Sequence, residues 1–344
     1  MVDVAADLSS LSFEAGLTED ERKFLYLRAR AAGLTFCGCA HALYLCKLVH
    51  SLRCIIRDHT ANRDSVEDSG EDSDLCVGIL GAGHMGKQLL RSLLEMTGIK
   101  PSHIKVSTRT PESAVEFVQK GVECFFDNRR LAAWADVLFL CCLPSHLPKV
   151  CDDLSCHLSK HCLVYSFISA VPVTRLAKLL GHDFVLKPQY DFVSCDTADV
   201  WLSCTDLSMA LKDPLLIEAL CPLTMNGGIS LSLKWVCAVL YSLLNICTSA
   251  SVRSSDALSL INSLFEEKWT HTVQLNAQSF ISSSYASSLL GDEPFPWISL
   301  TDAQTKETPL LRFLSGDKSV QLCISAAYKS LLETPVTIES YTLK

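Results

Sequence analysis

Gly81, Gly83 and Gly86, with Ala82, His84 and Met85 between them, fit the pattern G-x-G-x-x-G. Glycines at this spacing work through the backbone. The first permits a tight turn, the second lets the main chain approach a pyrophosphate, and the third lets a helix pack closely on the preceding strand. That helix then aims unpaired N–H groups and the positive end of its dipole at the phosphates. The pattern is weak alone and gains from its context. Here the apolar run "VGIL" enters it and the amphipathic stretch "HMGKQLLRSLLEM" leaves it. The plain alternative is a strand-to-helix turn that merely requires glycine.

A dinucleotide site of this kind needs a group for the adenosine ribose about 20 residues further on, and an acid there selects NAD. The next β-rich run ends in "KVSTRTPE", with no acid at 105–110. Ser107, Thr108, Arg109 and Thr110 instead offer a guanidinium and three hydroxyls, a set suited to a 2′-phosphate. The expected cofactor is therefore NADP(H). The alternative for Arg109 is an ordinary solvated loop arginine. A third candidate segment is "ADVLFLCCLPSHLPKV". In a doubly wound sheet the carboxyl ends of the strands border the ligand crevice. Either Cys142, Leu143 and Pro144 flank the dinucleotide there, or Pro144 only ends the strand.

Positioning these residues requires strands alternating with helices. "LCVGIL", "HIKVS", "VECFF", "VLFLCC", "CLVYSF" and "DFVLK" read as strands, and helix-like segments separate several of them. Such alternation implies βαβ units. The expected fold class is α/β: a doubly wound Rossmann domain with a mostly parallel sheet over residues 75–233, then an all-helical, dimerising domain over 234–340. Two further strands are expected at 198–204 and 227–233, flanking a helix at "DPLLIEALCP". Residues 1–62 read as an N-terminal helical extension. Thr18 is its first N-cap, and Leu45, Leu48, Val49, Leu52 and Ile56 share one face of a later helix. Residues 63–74, "RDSVEDSGEDSD", hold six acids and one base and almost nothing apolar, so they read as a flexible linker.

Composition narrows the function. Hydrophobic residues make up 49%, and the net charge is −8 with no long basic run. That argues against a nucleic-acid partner. The most apolar window, Trp235 to Cys247, is shorter than the roughly 20 residues of a membrane span and reads as a buried helix, so no membrane partner is expected. The 17 cysteines are odd in number and scattered through apolar segments. They read as buried thiols in a reducing, cytoplasmic compartment. Cys37, Cys39, His41, Cys46, His50 and Cys54 follow no zinc spacing, and three of them recur every four residues as a helix face would. No metal is expected. His84 and Lys187 could line a site, but no residue is assigned a catalytic role.

From Val77 to about Leu233 the chain resembles the N-terminal domain of pyrroline-5-carboxylate reductase. "GILGAGHMG", "STRTPE", "ADVLFLCCLP", "SFISAVPVTRLAKLL" and "VLKPQYD" follow that family's order at similar spacing. The resemblance implies an NADPH-binding domain and a helical domain that builds an intertwined homodimer. It also implies hydride transfer to a small imine or carbonyl substrate, cyclic imines first. There are departures. Leu143-Pro144 stands for Lys-Pro, Ser169-Ala170-Val171-Pro172 for Ala-Gly-Val-Thr, and Lys187-Pro188-Gln189 for Met-Pro-Asn. The family's Gly-Ser-Gly-Pro-Ala and Pro-Gly-Gly-Thr segments are absent from the helical region. A catalytically inactive NADPH-binding sensor or scaffold is therefore the rival expectation.

Overall fold

The computed structural model describes residues 13–61, 74–193, 198–202, 207–224, 226–265 and 274–333. The linker expected at 63–74 lies outside these apart from Asp74. So do the first residues of the N-terminal helical segment and the last of the helical region.

The chain opens with α1 (Glu19–Arg22), where Thr18 and Glu21 form the reciprocal capping box. Next comes α2 (Leu25–Ala61), one helix of 37 residues. The dinucleotide-binding region then alternates strands and helices: β1 (Val77–Leu80), α3 (His84–Met96), β2 (Ile104–Ser107), α4 (Val115–Val118), β3 (Glu123–Phe125), α5 (Asn128–Trp134), β4 (Val137–Leu140), α6 (Leu147–Leu154), β5 (Leu163–Ser166), α7 (Val173–Leu180) and β6 (Val185–Leu186). These six strands form one sheet in the order β3-β2-β1-β4-β5-β6, and every pairing is parallel. The order reverses between β1 and β4, and that is where an open α/β sheet opens a ligand crevice.

β1, β4, β5 and β6 are buried throughout because both faces of the sheet are covered there, whereas β3 at the edge is half-buried. Side chains alternate along each strand. Leu138 and Leu140 of β4 join Leu131 of α5, Leu147 and Leu154 of α6, and Leu176 and Leu180 of α7 on one face. Val137 and Phe139 join α2 and α3 on the other.

A second, antiparallel pair follows, β7 (Tyr190–Phe192) with β8 (Ile229–Leu231). Between them lie α8 (Ala198–Leu202), α9 (Leu207–Ala210) and α10 (Pro214–Leu220). The strand expected at 198–204 is thus corrected: 198–202 is helical. Its apolar alternation is overridden by packing, since the Trp201 ring lies over Phe36 of α2 and its Nε1 donates to Gly227 O at 2.8 Å. The strand expected at 227–233 is present as β8, pairing with β7 outside the main sheet.

The remainder of the described chain is helical: α11 (Leu233–Ser249), α12 (Ser254–Ser263), α13 (Ala277–Phe280), α14 (Ser283–Ser288), α15 (Leu300–Thr305), α16 (Pro309–Gly316) and α17 (Lys318–Glu333). The Trp235–Cys247 window is buried on nearly every side of α11. Its buried Asn245 is satisfied, donating to and accepting from the Ile298 backbone at 2.7 and 2.9 Å.

The helix expected as an N-terminal extension is a central element. Phe36 through Val49 of α2 are buried without interruption. By length and composition Glu19–Ala61 could cross a membrane, yet 83% of its most apolar window is buried inside the protein. A helix apolar all round needs a neighbour on every side. The sheet, α8, α11 and α17 supply those neighbours. Two polar ties fix α2 in place: Arg53 Nη1 donates to Asp136 Oδ2 at 2.6 Å, and Lys47 Nζ to Leu331 O at 2.9 Å.

Candidate active site

The glycine loop joins β1 to α3 at the carboxyl edge of the sheet. Gly81 sits at φ +101°, a conformation that L side chains rarely adopt, and its N–H donates to Ser107 O at 2.8 Å. A Cβ on Gly86 would lie 1.9 Å from Gly81 O, so the helix can approach the turn only with glycine there. Gly83 is the reverse case: a Cβ there would meet nothing within 4 Å. It is the N-cap of α3 and supplies no side-chain cap. The first-turn N–H groups of a 13-residue helix thus face open space with no side chain in the way, which is the cradle a pyrophosphate needs.

Beside the cradle, β1 pairs with β2 and β4, so Leu80 lies opposite Ser107 on one side and Leu140 on the other. That register brings three expected segments together. Arg109 and Thr110 are exposed on the turn after β2. Arg109 has no hydrogen-bond or ion-pair partner among the described residues. Thr110 Oγ1 lies 3.3 Å from Ser113 Oγ, and Lys87 Nζ donates to Ser113 O at 2.8 Å. Ser107 is buried and its hydroxyl donates to Asn128 Oδ1 at 2.8 Å, so it points into the seam with α5. Thr108 is also buried, its N–H bonded to Phe125 O. Arg109 and Thr110 are therefore the two groups of this set exposed where a 2′-phosphate would lie.

On the other flank, Cys141 touches Gly81, Cys142 is half-buried, and Leu143 and Pro144 are exposed. Within the loop, Ala82 is partly buried and His84 exposed, while Met85 turns inward against the buried cluster around α2.

A cavity of about 190 Å³ lies at the same edge of the sheet, beyond β6. Thr174, Lys187, Gln189, Lys234, Trp235 and Gln304 line it, and none of its lining residues among those described is acidic. Gln304 fixes its shape: its Oε1 accepts from Lys187 N at 2.9 Å and its Nε2 donates to Val185 O at 2.7 Å, tying α15 to β6. Trp235 Nε1 is buried without a hydrogen-bond partner. Burial pushes the Lys187 ammonium below the usual lysine range. A larger groove of about 610 Å³ runs along α7 to the amino-terminal edge of β5 and β6. The smaller cavity is the substrate candidate, because ligands of open α/β sheets bind at the carboxyl edge. Three strand spacings of about 4.8 Å put β6 roughly 14 Å from β1, within a dinucleotide's span.

Behind this cavity stands a feature that spacing did not reveal. His41 of α2 is buried, with Nδ1 3.0 Å from Tyr190 Oη and Nε2 3.1 Å from Leu220 O. A carbonyl only accepts, so this network assigns the proton to Nε2, and Nδ1 accepts from Tyr190. Burial lowers the His41 pKa to about 3 and keeps the ring neutral. The rings of Tyr190, Trp235 and Tyr328 surround it at 5.3–5.7 Å. The Cys/His pattern at 37–54 is thus a buried helix. Among the described residues no three His, Cys, Asp or Glu side chains group closely enough to hold a metal, and none forms a disulfide.

Strand order, positive-φ glycine, open cradle and crevice together define a Rossmann-type dinucleotide-binding domain. A family model described as NADP oxidoreductase, coenzyme F420-dependent, matches residues 76–169. The mouse protein named NADP-dependent oxidoreductase domain-containing protein 1 is 41% identical over 340 residues, covering 95% of this chain and 93% of that one. The chain belongs to that NADP-dependent oxidoreductase family, and the cofactor class that goes with it is NADP(H). Pyrroline-5-carboxylate reductase of Escherichia coli (strain K12) is 32% identical over 108 residues, covering 31% of this chain and 40% of its own. Among solved structures, a pyrroline-5-carboxylate reductase from Coxiella burnetii aligns over 76% of this chain and all of its own, at 16% identity and a TM-score of 0.33.

Proposed function

We propose that this chain is an NADP(H)-dependent oxidoreductase that reduces a small imine or carbonyl substrate, with cyclic imines related to pyrroline-5-carboxylate first among them. The observation that carries this reading is the pairing of two spaces on one sheet edge: the open cradle at Gly83 and the acid-free cavity at Lys187. Bound NADPH would supply the hydride. The protein's own share is position and electrostatics. The α3 N-terminus and Gly83 hold the pyrophosphate. Arg109 and Thr110 hold the 2′-phosphate. Cys142, Leu143 and Pro144 flank the path toward the nicotinamide. Lys187 and Lys234 give the cavity positive charge, and Trp235 and the buried cluster behind it exclude water.

The test is a titration of purified protein with NADPH, followed by incubation with NADPH and a panel of cyclic imines and ketones while the nicotinamide absorbance is recorded. Loss of absorbance with one panel member supports the reading. Tight NADPH binding with no oxidation on any member supports the rival, an NADPH-binding sensor or scaffold. One observation favours that rival: α2 packs on Met85 and Phe167, beside the loop, with the Gly38 backbone close to both.

A homodimer belongs to the same proposal. Leu215 on α10 and Leu322 on α17 are 76% and 71% exposed, large apolar side chains that a second copy would cover. Light scattering reads this directly. A reducing, cytoplasmic setting completes the proposal, supported by the many buried thiols.

A further inference from the structure

Lys187 stands apart from the other buried lysine. Lys47 is 9% exposed, and its ammonium donates to Leu331 O, so its burial is compensated by structure. The Lys187 ammonium has no hydrogen-bond or ion-pair partner among the described residues, although its backbone N–H is bonded to Gln304. It lines the cavity beyond β6 beside Trp235, whose Nε1 is equally unpartnered. A half-buried charge without a partner costs stability, and such costs collect at functional sites. Nothing in the packing explains why a lysine, rather than an apolar residue, closes this corner.

We infer that Lys187 is a catalytic residue, the donor of the proton that completes reduction of the substrate's double bond. This rests on the reductase reading above. For an imine, bound NADPH would supply a hydride, two electrons and a proton, to the ring carbon and be oxidised to NADP⁺. The C=N π pair moves onto nitrogen. A new N–H bond forms there as one N–H bond of the Lys187 ammonium breaks, and the neutral amine regains its proton from water at the cavity mouth. The lowered pKa suits the task, because a proton donor works best when its pKa lies near the working pH. Lys234 is the other titratable group lining the cavity. Its Nζ lies 3.5 Å from Thr305 O, which leaves Lys187 as the cavity cation without an acceptor among the described residues.

Two measurements test this. In the first, kcat for a cyclic imine reduced by the wild type is followed against pH, with Lys187→Met and Lys187→Arg alongside. A proton donor must be protonated, so wild-type kcat should fall as pH rises through the Lys187 pKa. K187M should lower kcat about 100-fold or more and lose that limb, while NADPH affinity stays within about twofold. K187R keeps the charge and serves as the folding control, and its limb should move to higher pH. In the second, competitive acetylation with acetic anhydride across pH, read by peptide mass spectrometry, gives the midpoint of each lysine without any turnover. Lys187 should titrate below the exposed surface lysines. K187M with wild-type kcat, or a Lys187 midpoint among those of the surface lysines, overturns the assignment. A wild type that reduces nothing on the panel overturns the reductase reading instead, and the catalytic role of Lys187 with it. The acetylation midpoint then still shows whether this amine is perturbed.

Discussion

Gly86 and Gly33 are both places where a side chain is forbidden, yet they serve opposite ends. At Gly86 a Cβ would strike the Gly81 carbonyl at 1.9 Å, and the close approach leaves Gly83 facing empty space. At Gly33, on α2, a Cβ would meet Ile229 Cδ1 at 2.6 Å and the Trp201 ring at 2.9 Å, so the close approach closes space. One glycine builds a place for a ligand and the other seals a core. The lesson is that a glycine's role is read from what its missing side chain would touch. The two regions should therefore fail differently when they are filled.

The largest effect is expected at the loop. Gly86→Val sets a branched side chain against a backbone carbonyl that cannot yield. NADPH affinity should fall more than about 100-fold, a loss of some 3 kcal/mol. Isothermal titration reads this, and affinity within threefold of wild type would show that the cradle is not the phosphate site. Gly33→Val is the converse. Overpacking against a buried tryptophan costs about 1–3 kcal/mol, so the urea midpoint should fall while NADPH affinity per folded molecule is retained. If both variants lose binding and stability together, the contrast between the regions collapses.

The sequence showed the first region well because its chemistry is local. The glycine spacing, the strand before it, the helix after it and Arg109 all lie within one stretch of about 30 residues. Backbone geometry at that scale follows from residue type. The α2 core and the substrate candidate beyond β6 are assembled at long range. The cavity draws Thr174, Lys187, Lys234 and Gln304 from four separate parts of the chain. Leu45, Leu48, Val49, Leu52 and Ile56 did mark a buried helix face. What they did not show is that Phe36 through Val49 are buried on all sides. Gly33 and Gly38 sit inside this helix at points of close contact, where a neighbour needs the room a side chain would take. Trp201 shows the same limit: its segment alternates like a strand, and α2 decides that it is a helix.

The α2 region also carries a pH dependence. The folded His41 pKa is about 3, against roughly 6.5 for an unperturbed histidine. The unfolded chain therefore takes up this proton first as pH falls. The stability linked to His41 is complete above pH 6.5 and declines as pH drops toward 3, by about 1 kcal/mol per pH unit. Urea midpoints taken between pH 7 and 4.5 should show this slope. His41→Asn should start less stable, because Tyr190 and Leu220 lose their geometry, and should lack that part of the slope. An unchanged slope would mean that His41 is not held neutral.

The smallest effect sharpens the loop side. Arg109 is exposed and makes no ion pair among the described residues, so removing it should leave the unfolding free energy from urea titration within about 0.5 kcal/mol of wild type. Its proposed partner is a phosphate that only one of the two nicotinamide dinucleotides carries. Arg109→Glu exchanges a forked donor for a like charge facing that phosphate, and a charge-assisted contact is worth about 1.5–3 kcal/mol. NADPH affinity should then fall about tenfold or more while NADH affinity holds or improves. The ratio of the two dissociation constants is the quantity to measure, because any general damage to the cradle cancels from it. Equal losses for both cofactors would return Arg109 to an ordinary surface arginine. The cradle at Gly83 would then bind phosphates without choosing between the two dinucleotides.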